Sequence, residues 1–341
     1  MRVAERHEVT ISCVTFGSYM ALDRAVRARR NAGDIAGALA LLAEEERNLP
    51  LHAGLVHLSR AELLAALGRA DDAIASLETA LDSGCRYRAE WLRDDPGLAP
   101  LRADARFDGL VRRSAARYDA EQAVARPMVS VTLPDAEPTI HGYPLLVALH
   151  GNNSNVAQTA PYWTSATDAG WAVFLPQSGE IGASPNAYTW NDRERTATEV
   201  LYHLDRQRQH FPIDARVTVL AGFSMGALQA IALAITGRIR ATGVLPVAAY
   251  LPHVRELAAI VQAKPPRNLR AYLVIGARDV GGYEGTKQLA DLFARHEITT
   301  RLDERPDLGH DYPPDMAETL ARALAFLHPE RRLEPLQMLK D

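Results

Sequence analysis

The spacing of hydrophobic and polar residues changes near residue 120 of the chain. In residues 20–120, apolar residues recur every three or four positions among many Ala, Leu, Arg and Glu residues, and runs typical of strands are almost absent. After that point, short continuous apolar runs alternate with amphipathic segments. The pattern therefore predicts an all-α domain at 20–120, followed by a domain of mixed α and β structure at 128–330.

The predicted helical domain contains an internal repeat. "GDIAGALALLAEE" begins at Gly33 and "GRADDAIASLETA" begins at Gly68, 35 residues later, so that Ala38 aligns with Ala73. Small residues at matched positions let paired helices approach closely, and each glycine can turn a hairpin. The pattern resembles a degenerate tetratricopeptide repeat, whose period is about 34 residues. Because such units gain stability by stacking, we expect these two to pack against a third helical segment or the neighbouring domain.

Short apolar runs after residue 140 predict strands, and helical patterns lie between most of them. The passage "ARPMVSVTLPDAEPTIHGYP" before them predicts a domain boundary and an early strand pair. Continuous apolar strands between helices favour a mostly parallel sheet covered on both faces, which is an α/β architecture. The predicted strands are 145–149, 172–175, 217–221, 244–249, 271–275 and 299–302, and the clearest predicted helices are 193–210, 286–296 and 316–327, the last with Asp315 as its N-cap.

Composition and charge exclude several classes of function. The chain has 341 residues, of which 47% are hydrophobic and 23% charged, the proportions of an ordinary globular protein. Its net charge of -4 argues against a general nucleic-acid surface, because neutralising phosphates requires clustered Lys and Arg. Cys13 and Cys85 are too few for a disulfide framework, which favours a reducing cytoplasm, and neither has the sequence context of a catalytic thiol.

The ends of the chain carry little information about function. No segment reaches the roughly 18 to 20 continuous apolar residues that a membrane span needs, so we expect no transmembrane helix. Residues 1–19 lack the features of a secretory signal and match nothing downstream, which predicts either a disordered extension or a biological start at Met20. Residues 331–341 are predicted to form a C-terminal tail.

The segment "VTVLAGFSMGALQAIALAI" begins as an apolar strand and continues as a run of helix formers, with Ser224 at the bend. In a strand-to-helix turn this tight, side chains two positions away would collide with the serine or the sheet, and Gly222 and Gly226 remove those collisions. The bend presents the hydroxyl at a helix start, whose free N–H groups favour developing negative charge. We interpret Ser224 as a nucleophile, with a structural serine in a tight turn as the alternative.

A serine nucleophile needs a base, and the base needs a group that orients it. Asp279 directly follows the apolar strand in "AYLVIGARD" and is the predicted acid, with Glu284 as the alternative. His310, in "RLDERPDLGHDYPPD", follows a strand and precedes the last helix, so it is the predicted base. Asp307 and Asp311 flank it and could tune its loop. The less suitably placed histidines are His203, His210, His296 and His328.

A tetrahedral intermediate also needs two hydrogen-bond donors for its oxyanion. The backbone N–H of Met225, directly after the serine, is one candidate. The stretch "PLLVALHGNNSN" ends a predicted strand, and because Gly151 permits close approach of the backbone, we predict the N–H of Asn152 as the second donor. We interpret His150 as a residue that orients this loop. A role as the base is the alternative, although it would reverse the expected chain order.

Four motifs, "LHGNN", "GFSMG", "GARD" and "DLGHDYP", follow one another in this order at the predicted strand ends. Across residues 129–328 the chain resembles the α/β-hydrolase superfamily, and within it the phospholipase/carboxylesterase-like and dienelactone-hydrolase-like serine hydrolases. The resemblance implies Ser224 as nucleophile, His310 as general base and then acid, Asp279 as its orienting group, and release of the acyl-enzyme by water. It implies no metal and no cofactor.

The resemblance also suggests where the substrate binds. The segment "NAYTWNDRE" at 186–194 resembles the variable loop that lines the acyl pocket of these esterases. Trp190 is therefore a candidate pocket wall, with a core tryptophan as the alternative, and Asn153 beside the oxyanion loop is the other candidate for substrate binding. A helical N-terminal domain is not part of the minimal esterase, so access to the site is not implied by the family.

The expected function is that of a cytoplasmic carboxylesterase that cleaves small to medium acyl esters of small molecules. An acyl thioesterase or a peptidase on the same fold would use the same groups, and an inert interaction protein that binds through the helical repeat is an alternative of a different class. We expect the helical domain to be a structural or dimerisation module, with a peptide-binding groove as the alternative. A homo-oligomer or a protein partner would then contact this domain.

Overall fold

The part of the chain before the sheet is helical. The computed structural model describes residues 19–329, so most of the predicted extension 1–19, the predicted tail 331–341 and Cys13 lie outside the described residues. The side chain of Asp34 caps the second helix by accepting a hydrogen bond from Gly37, and that of Asp104 caps the sixth. The helices are α1 (Tyr19–Asn31), α2 (Ile35–Glu45), α3 (Ala53–Ala66), α4 (Ala70–Asp82), α5 (Ala89–Arg93) and α6 (Ala105–Val124), with short 3-10 turns at Glu46–Asn48, Pro50–His52 and Pro96–Leu101.

Two helical hairpins, α1 with α2 and α3 with α4, correspond to the repeat in the sequence. Gly33 and Gly68 lie in their turns with φ values of +79° and +72°, a backbone conformation that favours glycine. The aligned residues Ala38 and Ala73 are both fully buried, so a small side chain stands at the same place in each hairpin. A glycine in the turn and a buried alanine five residues later therefore recur in both hairpins.

The strands form one twisted sheet in which all neighbours but one are parallel. Their order is β1-β3-β2-β4-β5-β6-β7, and β1 is antiparallel to β3 at one edge. Because parallel strands point the same way, the loops after β2, β4, β6 and β7 all leave from one edge of the sheet. The strands are β1 (Met128–Thr132), β2 (Tyr143–Leu149), β3 (Ala172–Gln177), β4 (Ile213–Phe223), β5 (Gly243–Val247), β6 (Arg270–Gly276) and β7 (Thr299–Arg305).

Helices cover both faces of the sheet, and each face has its own apolar core. Strands β2, β3, β5 and β6 are buried almost throughout, and β4 is buried from Thr218 to Gly222, as expected when a sheet is covered on both faces. The helices α8 (Arg193–His210), α9 (Met225–Thr236), α10 (Arg255–Ala263) and α11 (Tyr283–Arg295) pack on one face, and α7 (Val156–Trp163) and α12 (Met316–Leu327) on the other. Among the residues described, no helix combines the length and the apolar character needed to cross a bilayer.

The predicted α/β architecture is confirmed, with differences at the ends of some elements. The helices predicted at 193–210 and 316–327 have those bounds, whereas α11 begins three residues before the predicted 286. The expected early strand pair was wrong: β1 pairs instead with β3, and the chain between β1 and β2 makes only an isolated bridge from Thr139 to Gly142. β5 ends at Val247 rather than at 249, because Ala248 adopts a positive φ of 45°.

The helical part of the chain packs against the segment that follows β3. The backbone N–H of Gly54 donates to the buried hydroxyl of Ser184 at 2.9 Å, and that of Arg86 donates to the carbonyl oxygen of Ala183 at 2.8 Å. Gln122 of α6 donates to one backbone carbonyl of this segment and accepts from another backbone N–H. Ala183 belongs to the apolar core of the helical part. The expected support from the neighbouring domain is thus a set of directional bonds to one loop.

Candidate active site

Ser224 lies between the end of β4 and the start of α9, at the bend predicted from the sequence. Its φ is +55°, a conformation that is costly for a residue with a side chain and that is found where the surrounding structure enforces it. Here the backbone N–H of Ser224 donates to Val247 at 3.1 Å, and its carbonyl oxygen accepts from Tyr250 at 3.1 Å. The loop after β5 therefore holds the strained residue in place from both sides.

Gly222 and Gly226 are required by the close approach of backbones on both sides of the bend. A Cβ on Gly222 would lie 2.7 Å from the backbone carbonyl carbon of Gly226, and a Cβ on Gly226 would collide with the carbonyl oxygens of His150 and Leu149. Relieving the first clash would move α9 away from β4, and relieving the second would move α9 away from β2. The two glycines thus let the helix start directly over the sheet edge, where the serine hydroxyl is exposed to the cavity described below.

Ser224, His310 and Asp279 form one hydrogen-bonded chain. The Oγ atom of Ser224 is 2.8 Å from Nε2 of His310, and Nδ1 of His310 is 2.8 Å from Oδ2 of Asp279. An ionised carboxylate can only accept, so the proton of a neutral imidazole lies on Nδ1 and leaves Nε2 free to accept from the hydroxyl. Asp279 is 1% exposed and His310 is 6% exposed, so this chain is shielded from water except at the serine.

The loops that carry the acid and the base are packed against each other. Asp279 follows β6 and accepts a second hydrogen bond, from the N–H of Gly281 at 3.0 Å, on the carboxylate oxygen that does not face the histidine. His310 follows β7, and the N–H of Arg278 donates to the carbonyl oxygen of Leu308 at 3.0 Å. These bonds fix the carboxylate and orient the imidazole between it and the serine.

The other candidate acids lie elsewhere. Glu284 is exposed in the first turn of α11, and Asp307 pairs with Arg278 on the surface. Asp311 borders the cavity, and its burial raises the pKa of its carboxyl group. None of the three is hydrogen-bonded to His310, whose Nδ1 atom is hydrogen-bonded to Asp279.

The other candidate histidines are also separated from the serine. His203 is buried within α8, and burial lowers its pKa. His210 is exposed at the end of the same helix, and His296 follows α11. His328 follows α12 and lies 2.8 Å from the hydroxyl of Thr242. The structure thus brings together the serine, aspartate and histidine that the sequence favoured.

The loop after β2 lies directly beside the serine. A Cβ on Gly151 would lie 3.5 Å from the Cβ of Ser224 and 2.9 Å from the ring of Phe223, so only glycine fits there without displacing the ring. The backbone N–H of Met225 belongs to the first turn of α9, where helical N–H groups have no partner within the helix. Asn152 and Met225 both border the cavity that contains the serine hydroxyl.

His150 is a fixed, neutral element of this loop. Its Nε2 atom accepts from the N–H of Ser178 at 3.2 Å, so the proton lies on Nδ1, which donates to the carbonyl oxygen of Gly151 at 2.7 Å. Complete burial lowers the pKa of His150 to about 4. The imidazole therefore joins the loops after β2 and β3, as expected for an orienting residue, and its nitrogens are unavailable to the serine.

A hydrogen-bond network that the sequence did not reveal supports the same loop. The buried carboxylate of Glu180 accepts from the backbone N–H groups of Asn191 and Asp192 at 2.9 and 3.3 Å. The side chain of Asn191 in turn accepts from the amide of Asn152, whose own oxygen accepts from the N–H of Trp190 at 2.8 Å. Glu180 lies in a loop with no motif around it, so its supporting role is visible only from its hydrogen bonds in the structure.

A cavity of about 800 Å³ opens above Ser224. Asn153 borders it, with a φ of +54°, and its role in substrate binding stays a prediction. Trp190 does not border it: the side chain is fully buried and packs against the ring of His150 at 4.8 Å between centroids. The expectation that Trp190 forms a wall of the acyl pocket is corrected, because this tryptophan supports the oxyanion loop from behind.

The opposite side of the cavity is formed by the helical part of the chain, which the sequence did not predict. Residues of α1, of the Pro50–His52 turn and of α3 border the same cavity as the serine. No pattern in the sequence connects these segments with "GFSMG", because the contact depends on how the two parts pack. Within residues 19–329, no group of three or more His, Cys, Asp or Glu side chains is placed to hold a metal ion.

Comparisons with known proteins identify a family and a shared fold. A family model, described as "Putative esterase", matches residues 122–313. A solved structure of an uncharacterized protein from Bacillus cereus ATCC 10987 is 23% identical with a TM-score of 0.53, and the alignment covers 92% of this chain and 99% of that one. At this identity the likeness shows a shared fold, and it extends over the helical part as well as the sheet. The search of curated proteins finds no match.

Two further solved structures are similar over about three fifths of this chain. FphF, a fluorophosphonate-binding serine hydrolase from Staphylococcus aureus, is 16% identical with a TM-score of 0.46, and the alignment covers 58% of this chain and 91% of that one. A carboxylesterase from Bacillus cereus is 14% identical with a TM-score of 0.44, and the alignment covers 61% of this chain and 99% of that one.

Proposed function

The chain belongs to the Esterase family, has the α/β-hydrolase fold and is a carboxylic ester hydrolase, and from that premise we propose that it cleaves small to medium acyl esters with Ser224, His310 and Asp279 as its catalytic triad. One observation carries the proposal. The two contacts of His310, to Ser224 and to Asp279, are both 2.8 Å and lie at the open edge of the sheet. A serine that served only the turn would need neither contact.

In the proposed reaction, Ser224 Oγ attacks the ester carbonyl carbon while Nε2 of His310 takes the hydroxyl proton. The carbonyl π electrons move to oxygen, and the backbone N–H groups of Met225 and Asn152 stabilise the oxyanion. When the oxyanion collapses, the bond to the alkoxy group breaks, and the imidazolium gives its proton to the departing alcohol. A water molecule, deprotonated by His310, then attacks the acyl-enzyme in the same way and releases the acid.

A thioester would follow the same steps with a thiol as the leaving group, so a thioesterase remains the alternative within this mechanism. An inert interaction protein is the less economical alternative, because binding through the helices needs no ordered triad and no strained serine.

We propose that residues 20–120 form a domain similar to tetratricopeptide repeats and that residues 128–330 form the catalytic domain. Support comes from the two hairpins that turn at Gly33 and Gly68.

Labelling with a fluorophosphonate probe tests the nucleophile. We expect the wild-type protein to be labelled and to hydrolyse p-nitrophenyl esters. Ser224→Ala should abolish labelling and lower kcat by about 10⁴ to 10⁶, as in other enzymes that lose this residue. Ser130→Ala, on the edge strand β1, is the matched control and should be labelled normally. Normal labelling of Ser224→Ala would overturn the assignment, and assays with acyl thioesters and aminoacyl amides would separate the remaining chemistries.

A further inference from the structure

The cavity above Ser224 has two walls from different parts of the chain. On one side lie the serine and His310, at the edge of the sheet. On the other side lie Tyr19 of α1, Leu51 and His52 of the 3-10 turn, and Leu55 of α3, which we call the helical wall. Since both walls border one continuous space, a substrate long enough to cross this space from the serine reaches the helical wall.

The helical wall is apolar and carries no net charge. The rings of Tyr19 and His52 are stacked 5.2 Å apart with an angle of 7° between their planes. Burial raises the pKa of Tyr19 to about 12 and lowers the pKa of His52 to about 4, so both rings are neutral at pH 7. The charged residues nearby, Asp23 and Arg27, are 2.7 Å apart and compensate each other. A charged group on a ligand would find no unpaired partner of opposite sign on this wall.

The facing wall also consists of rings. The ring of Tyr312 stacks on Tyr162 at 3.7 Å and on Phe223 at 4.3 Å between centroids, and Phe223 lies 5.1 Å from the imidazole of His310. All these side chains border the cavity. The space that leads away from the serine therefore has aromatic rings on both sides, and polar side chains such as Asn48, Gln158 and Asp311 line other parts of it. Its volume of about 800 Å³ is far larger than an acetyl group needs and lies within the usual range of ligand pockets.

We propose that the helical wall is the remote half of the substrate site, and that Tyr19, Leu51, His52 and Leu55 bind an uncharged, apolar part of the ester beyond the scissile bond, such as a medium-length acyl chain. This inference rests on the proposed esterase function. It assigns the helical part of the chain a direct role in selecting the substrate. Burying each further methylene group against this wall raises the affinity for longer chains.

Kinetics with p-nitrophenyl acetate, butyrate and octanoate test the proposal. The wild-type protein should have a higher kcat/KM for octanoate than for acetate. In Leu51→Ala and, independently, Leu55→Ala, the octanoate-to-acetate ratio of kcat/KM should fall about tenfold, mainly through KM for octanoate, because the lost contacts are made only by the longer chain. Leu67→Ala changes an exposed leucine at the end of α3, away from the cavity, and should keep the wild-type ratio.

The outcomes separate this inference from the function on which it rests. If acetate hydrolysis depends on Ser224 but the ratio is unchanged in both wall variants, the helical wall does not bind substrate and the inference fails alone. If the wild-type protein is not labelled by a fluorophosphonate, the proposed esterase function is overturned, and this inference is overturned together with it. Thermal unfolding of each variant shows whether it is folded, and because Leu51 and Leu55 lie on different elements, loss of folding in one leaves the other as the test.

Discussion

The side chain of Asn191 accepts a hydrogen bond from the amide of Asn152 at 2.8 Å, which joins the loop before α8 to the loop after β2. Asn191 is itself fixed by the buried carboxylate of Glu180, at 2.9 Å from its backbone N–H and 3.3 Å from its side chain. Glu180 lies between the two residues whose backbones are held by Gln122 of α6. The proposed oxyanion donor is thus supported by a chain of bonds that begins in the helical part.

Replacing Asn191 with Ala should lower kcat by about 10-fold to 10²-fold, because misplacing one oxyanion donor loses part of the 10²- to 10³-fold contribution that such a donor makes. KM should change by less than about threefold, since the interaction strengthens only as the oxyanion forms. Steady-state kinetics with a p-nitrophenyl ester measures both. Asn268→Gly, at the opposite edge of the sheet where φ is +60°, is the control. An unchanged kcat in Asn191→Ala would argue against this support of Asn152.

Asp279→Asn should lower kcat by about 10⁴ while leaving the fold intact. An amide at this position can donate to Nδ1 of His310, which favours the tautomer that carries its proton on Nε2. That tautomer cannot accept the proton of Ser224. The measurement is kcat for a short ester, together with circular dichroism to show that the variant is folded.

Glu284→Gln is the matched comparison for this prediction. Glu284 also follows β6, but it is exposed in α11 and makes no contact with His310, so its rate should equal that of the wild-type protein. A full rate in Asp279→Asn combined with a large loss in Glu284→Gln would move the role of the orienting acid to Glu284.

Elements with strong local signals could be predicted from the sequence. Helix α8 has the predicted bounds because the side chain of Asp192 caps its start and Pro212 follows its end. The serine and the acid follow the apolar strands β4 and β6, and the base follows β7 after a short loop, so their shared edge of the sheet follows once the strands are taken as parallel. The residues of this site can thus be recognised from short segments of the sequence.

The features that could not be predicted depend on contacts between distant segments. Trp190 lies in a segment that resembles a pocket loop, which predicted that it lines the pocket. Its contact with His150 and the hydrogen bond from Gln229 to its carbonyl oxygen instead place it in the core. Glu180 has no motif around it and is recognisable only from its partners. The helical wall is an extreme case, since Leu51 lies far from Ser224 in the sequence and yet borders the same cavity.

His150 should make the stability of the protein depend on pH below neutrality. Its pKa is about 4 in the folded state against an ordinary value of 6.5, so between these values the unfolded chain binds a proton that the folded protein does not. The resulting stability is fully present above pH 6.5 and is lost as the pH falls towards 4, by about 3 kcal/mol over the whole window. Urea denaturation at pH 7.5 and 4.5 measures the loss.

His150→Gln should be less stable than the wild-type protein at pH 7.5 but should lose less stability on acidification. The loss that remains in this variant includes the contribution of His52. His210→Gln changes an exposed histidine and should behave as the wild-type protein does. An equal loss in His150→Gln and the wild-type protein would show that this imidazole is not held neutral by burial.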